Sequence, residues 1–220
     1  MRLKRNQVEQ ALAAVLRRNV DRDAAPDLRV RMKRLLETDR ALGREIGSDD
    51  PERGSFAFYT DEAPGSGIEV WFSAYEAFAL LVALRLLGHG WPQRTVVRIM
   101  RRVRPALEIE HQRILSQDPR QLFDPDEVLR RARPGMMAVD NIDPVFLAIV
   151  TPEQSDERNV DEPGSTDSFA VCRGEAELMA FMRQEAPPGM ATTIFELVNS
   201  AHHLAHHLAQ SQPSKRGRSG

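Results

Sequence analysis

Apolar positions recur at helical spacing through the first half of the chain, and in short unbroken runs through the second. Val8, Ala11, Leu12, Val15 and Leu16 fall on one stripe and predict a helix over Gln7 to Arg18. Asn19 to Asp27 interrupts it. Pro26 and Asp27 then open a second helix, with Leu28, Met32, Leu35, Leu36 and Leu42 along one side. Its other side carries Arg29, Lys33 and Arg40, with Arg31 and Arg34 on the flanks.

Residues 43 to 55 are rich in Gly, Ser, Asp, Pro and Glu and read as a loop. Beyond it, SFAFYT (Ser55 to Thr60) and IEVWF (Ile68 to Phe72) are β-prone runs around the turn segment DEAPGSG, Asp61 to Gly67, and together predict a hairpin. Ser73 and Glu76 have capping-box spacing, so a helix starts there. Ala74 to Leu87 is apolar on nearly every face, which requires burial on all sides until Gly88, His89 and Gly90 end it. Pro92 suits the first position of the next helix. There Val96, Ile99, Met100, Val103 and Leu107 form the seam, and Arg94, Arg98, Arg101 and Arg102 the opposite face. Pro105 should kink or split that helix. Ala106 to Gln117 keeps Leu107, Ile114 and Leu115 and suits a pairing helix, while Asp124, Pro125 and Glu127 start a short one that ends before Pro134.

A change of character follows. VFLAIV (Val145 to Val150) and SFAVCR (Ser168 to Arg173) read as strands joined by an acidic loop, Glu153 to Asp167. Glu175 to Glu185 reads as a helix, Thr192 to Val198 as a third strand or a helix start, and Asn199 to Gln210 as a last helix. The predicted class is therefore α+β: a mainly helical domain over 1–134, a small α/β sensing or dimerisation domain over 135–212, and a basic disordered tail over 213–220. The smaller domain is marginal in size alone and should pack on the first or on a second copy.

Charge sharpens this division. The 220 residues carry a formal net charge of −2, but Lys and Arg outnumber Asp and Glu by 24 to 20 up to Pro134, and the balance is 6 to 12 from Gly135 onward. Arg94, Arg98, Arg101, Arg102 and Arg104 fall within eleven residues that contain no acid. Clustered cations of this kind suit a nucleic-acid backbone, whose condensed counterions they release. The acidic half would be held off the duplex.

The order helix, turn, cationic helix, hairpin, capped helix, Gly break and second helix resembles the winged helix-turn-helix DNA-binding domain of the MerR family of bacterial transcription regulators. Phe72 and Ser73 match the aromatic and the capping serine that end the family's wing, and Gly90 and Val96 match its glycine break and following aliphatic anchor. The likeness covers about residues 6 to 117. The family's wing arginine is replaced by Val70, and Thr38, Asp39 and Arg40 stand where it has an arginine and a tyrosine. The resemblance implies a homodimer that reads two half-sites of double-stranded DNA. Arg29, Arg31, Lys33 and Arg34 would touch bases or phosphates, Gly65 and Ser66 at the wing tip the neighbouring backbone, and Arg94 and Arg98 further phosphates. The alternative is a non-enzymatic interaction module in which the arginines form a helical docking face for an acidic partner.

Other motifs change the picture little. His202, His203, His206 and His207 (HHLAHH) form two i, i+4 pairs that can chelate a metal. With no further ligand nearby they read as a helix face on which His203 and His207 border the stripe of Leu204 and Leu208, while His202 and His206 point away. Lys215, Arg216, Gly217 and Arg218 are similar to the core of an AT-hook. Cys172, the single cysteine, reads as buried and structural. There is no phosphate-binding glycine loop, nucleophile elbow, metal-ligand spacing or paired-carboxylate motif, so no catalytic residue and no cofactor is expected. No apolar run reaches the ~20 residues of a membrane span. The start of the chain lacks the apolar stretch of a secretory signal, and a cytoplasmic location is expected.

Overall fold

A computed structural model describes residues 2–16, 24–60, 70–132, 139–152 and 168–211. The chain forms two compact units, Met1–Pro105 with His203–Gly220, and Ala106–His202. The fold is α+β, mainly helical, with two small antiparallel sheets.

In the first unit, β1 (Leu3–Lys4) leads directly into α1 (Arg5–Leu16), and α2 covers Ala24–Leu42. Val8, Ala11, Leu12 and Val15 of α1 are buried, as are Met32, Leu35 and Leu36 of α2, so both predicted stripes face a core. A short helix, α3 (Pro51–Gly54), follows, capped by the Asp50 carboxylate on the amide of Glu52. β2 (Trp71–Phe72) pairs antiparallel with β1, placing Leu3 opposite Phe72 and Lys4 opposite Trp71. Alternation then buries Leu3 and Phe72 on the inner side of the ribbon.

The predicted hairpin is corrected by this arrangement. Residues 55–60 are not a strand, and the partner of β2 is the start of the chain. The cause lies in the hydrogen bonds of the SFAFYT segment. The amides of Ala57 and Phe58 donate to the two carboxylate oxygens of Asp39, at 3.1 and 3.0 Å, and the carbonyls of Phe56 and Tyr59 accept from Nη1 of Arg104 at 2.5 and 2.6 Å. Side chains thus satisfy the backbone groups that a ladder would otherwise use, while Phe56, Ala57, Phe58 and Tyr59 are buried. The turn at Asp61 to Gly67, with Gly65 and Ser66, lies outside the described residues.

α4 (Ala74–Gly88) is the central helix, buried from Tyr75 through Leu84 and at Leu86. Ser73 caps it as expected: the Glu76 amide donates to its Oγ at 3.1 Å, and Glu76 Oε2 accepts from the Ser73 amide at 2.6 Å. Replacing Ser73 with Ala should lower stability by about 1 kcal/mol in chemical denaturation, with the fold unchanged by circular dichroism. Gly90 takes φ +86°, a conformation that lets the Trp91 amide turn back to the carbonyl of Leu86 at 3.2 Å and ends the helix. α5 (Gln93–Ser116) is continuous through Pro105, so of the kink or split expected there the split does not occur. Pro105 has no N–H to return to the carbonyl of Arg101, and the division between units falls there.

The second unit holds α6 (Pro119–Leu122) and α7 (Pro125–Arg131), each capped by an aspartate, Asp118 or Asp124. Its sheet has the order β4-β3-β5, with β3 (Val145–Pro152) central and antiparallel to both β4 (Ser168–Arg173) and β5 (Met190–Glu196). β4 and β5 therefore run parallel to each other and are joined over β3 by α8 (Gly174–Glu185), a split β-α-β arrangement. The unbroken apolar run of β3 is explained by burial of Val145 to Val150 on both faces. Phe146, Ala148 and Cys172 pack with Leu178 of α8, which confirms the cysteine as a core residue. α9 (Val198–Gln210) closes the described chain.

The boundary expected at Pro134 from the charge shift is not where packing divides the chain. The Ile142 amide donates to the carbonyl of Leu122 at 3.0 Å, and Arg113 pairs with Asp143 at 2.5 Å. These bonds tie residues on either side of 134 into one unit. The acidic loop Glu153 to Asp167 and the tail over 213–220, including Lys215, Arg216, Gly217 and Arg218, lie outside the described residues.

Candidate nucleic-acid interface

The buried seam of α2 fixes which side of that helix meets solvent. With Met32, Leu35 and Leu36 turned inward, Arg29, Val30, Arg31, Lys33 and Arg34 are all exposed. Three of these cations rest on acids. Arg29 Nε lies 3.2 Å from Glu9, Arg31 Nε 2.9 Å from Asp27, and Lys33 Nζ 3.6 Å from Glu37. The Arg34 guanidinium has no carboxylate partner among the described residues. The exposed pairs of Arg31 and Lys33 contribute under about 1 kcal/mol, so phosphate oxygens can replace them at little cost.

Glu9 connects this face to the start of the chain. Its Oε1 accepts from Arg5 Nε at 2.8 Å while its other oxygen meets Arg29. The basic surface thus runs from α2 across Glu9 to Arg5, Lys4 and the exposed Arg2.

The arginines of α5 have a different role from the one expected. Only Arg94 is exposed. Arg98 Nε lies 3.0 Å from Glu52 and Arg102 Nε 2.5 Å from the same carboxylate, so Arg98 is part of an internal network and not an open phosphate contact. Arg101 and Arg104 are buried. Arg101 Nε meets Asp39 Oδ1 at 2.7 Å, Nη2 donates to the Asp39 carbonyl at 2.6 Å, and Nη1 to the Glu52 carbonyl at 3.1 Å. Burial pushes the Asp39 carboxyl above its usual range, against the opposing pull of Arg101 and the amides of Ala57 and Phe58. This network holds the 52–59 segment against α2 and α5 and positions the helix that carries the basic face.

Sequence reasoning missed that inward role, yet a signal was present. Asp39 follows Met32, Leu35 and Leu36 at the spacing of the apolar seam. Arg101 and Arg104 stand four and seven residues after Val97, which is itself fully buried.

The histidines of α9 do not gather. His202 turns its ring edge to Phe123, with centroids 5.4 Å apart and planes at 88°, while His203 is exposed. This reverses the expected orientation of that pair, because Phe123 offers His202 an aromatic partner. His206 and His207 make an edge contact with each other at 5.4 Å, and His206 also meets Gln210 at 2.9 Å. Among the described residues no group of three or more His, Cys, Asp or Glu is placed to hold a metal ion. No helix among them is long and apolar enough to cross a membrane. Comparison with protein-family models, with curated proteins and with solved structures finds no match to this chain.

Proposed function

We propose that the protein is a DNA-binding transcriptional regulator, without enzymatic activity, whose first unit docks the exposed face of α2 on double-stranded DNA. The observation that carries the reading is a run of exposed cations, Arg29, Arg31, Lys33 and Arg34, over a seam that is buried and held by an internal ion-pair network. A rigid helix presenting cations outward suits entry into a major groove, with phosphate contacts supplying most of the affinity. The succession of α1, the cationic α2 and the capped α4 is what supports a helix-turn-helix reading of the MerR type. A homodimer is part of the proposal, with residues 106–117 as the pairing segment, where Ile109 is 61% exposed. The second unit is its sensing or pairing part.

The docking-face alternative has less support for the arginines of α5, since Arg101 and Arg104 are buried and cannot line an outer face. Charge reversal tests the proposal. Arg29→Glu with Lys33→Glu should weaken duplex binding about tenfold or more in fluorescence anisotropy at low salt. Unchanged affinity in the double variant would remove α2 as the DNA-binding helix.

A further inference from the structure

The outer side of the β1–β2 ribbon carries an aromatic ring that the core does not use. Trp71 is 41% exposed, while its neighbour Phe72 is buried. The Lys4 ammonium lies 5.1 Å from the centroid of its ring. Arg2 and Lys4 alternate with the buried Leu3, so both belong to the outer side with Trp71. Arg5 follows, and its ion pair with Glu9 is shared with Arg29 of α2. An accessible indole is therefore continuous with the basic surface of α2.

Resting on the DNA-binding reading of that surface, we infer that Trp71 is a stacking platform for an unpaired nucleobase, and that the ribbon takes single-stranded nucleic acid alongside the duplex held by α2. The relative strength of two contacts favours it. The cation–π contact of an exposed lysine such as Lys4 is weaker than the stacking of a base on an aromatic side chain. A base thus displaces the ammonium, which then reaches a phosphate of the same strand, with Arg2 and Arg5 as further phosphate partners. Stacking tolerates any base because every base has a π face, so the ribbon should show little sequence preference. A protein partner would use the same indole without a requirement for phosphate, but Lys4 against the ring, with Arg2 and Arg5 beside it in the chain, favours a polyanion.

Fluorescence of the full chain tests this directly. Trp91 is the second tryptophan, and a Trp91→Phe background leaves Trp71 as the sole indole emitter. Addition of oligo(dT) at low salt should quench that emission. Trp71→Ala should weaken oligo(dT) binding about tenfold, Trp71→Phe should restore most of it, and both should leave duplex affinity within about twofold of the parent. Oligo(dT) binding without quenching, or with the same affinity in Trp71→Ala, would overturn the stacking site while leaving the DNA reading intact. Duplex binding with no oligo(dT) binding would also overturn it. Binding of neither nucleic acid would overturn both.

Discussion

Asp39→Ala should lower the stability of the protein by about 3–5 kcal/mol, the largest effect expected of any substitution on the surface-distal side of α2. The carboxylate is fully buried and serves three donors: the amides of Ala57 and Phe58 and Nε of Arg101. Its removal leaves two buried amides unpaired and the Arg101 charge without its counter-ion in a buried site. The wild-type pair itself is not a large net gain, because burial of both ions opposes their attraction. The loss comes from breaking one half. A double variant, Asp39→Ala with Arg101→Met, should therefore cost clearly less than the sum of the two single changes. Urea denaturation of the four proteins checks this, and strictly additive losses would contradict it. Weakened duplex binding in Asp39→Ala is expected as a consequence, because the network sets the position of α2.

The second large effect is a dependence on acid. His111 of α5 is buried, and burial, followed by the charge of His202, holds its pKa down to about 4 against an ordinary 6.5. The folded protein then takes up a proton on this ring less readily than the unfolded chain. Above about pH 6.5 both states hold it neutral and it makes no difference. Between pH 6.5 and about 4 the unfolded state gains the proton first, so stability falls as pH is lowered through that window. A shift of this size amounts to about 3 kcal/mol when fully developed. Glu110 and Asp143 in the same unit have carboxyls held below their ordinary values by the guanidinium groups of Arg113 and Arg173, against their burial. They lose their contribution in a lower window, as pH falls through carboxylate values. Unfolding free energies of wild type and His111→Leu between pH 7.5 and 4.5 separate the two. The variant should lack the slope that wild type shows from about pH 6.5 downward, whatever its absolute stability. Equal slopes in both proteins would remove His111 as the cause.

Much of the fold was legible because its elements obey local rules. The stripe of α1, the capping box at Ser73, the all-round apolar α4 and the unbroken run of β3 each have one reading at the level of spacing and chemistry. What was not legible depends on partners distant in sequence. SFAFYT has strand propensity, but Asp39 and Arg104, separated from it along the chain, hold its backbone in another form. The arginines of α5 looked alike as a charge cluster, and only the packing distinguishes Arg101 and Arg104, inside, from Arg94, outside. Trp71 escaped notice as a surface residue for a related reason. Nothing local in IEVWF says which of Trp71 and Phe72 faces outward, and the strand register with Leu3 and Lys4 is what assigns Trp71 to the outer side.

The division into units also decides how binding should be measured. Residues 203–211 belong with the first unit, and Gln7 Nε2 donates to the Ser211 carbonyl at 3.0 Å. A fragment ending at Pro134 would lack that contact, so the full chain is the proper sample. The most direct test is the salt dependence of its affinity for a random duplex, read by fluorescence anisotropy. Four exposed cations on α2 predict that log K falls against log salt with a slope of about −3 to −4, and that Arg29→Glu with Lys33→Glu flattens it by about two. No binding at low salt, or a slope that the double variant leaves unchanged, would contradict the assignment of α2 as a DNA-binding helix.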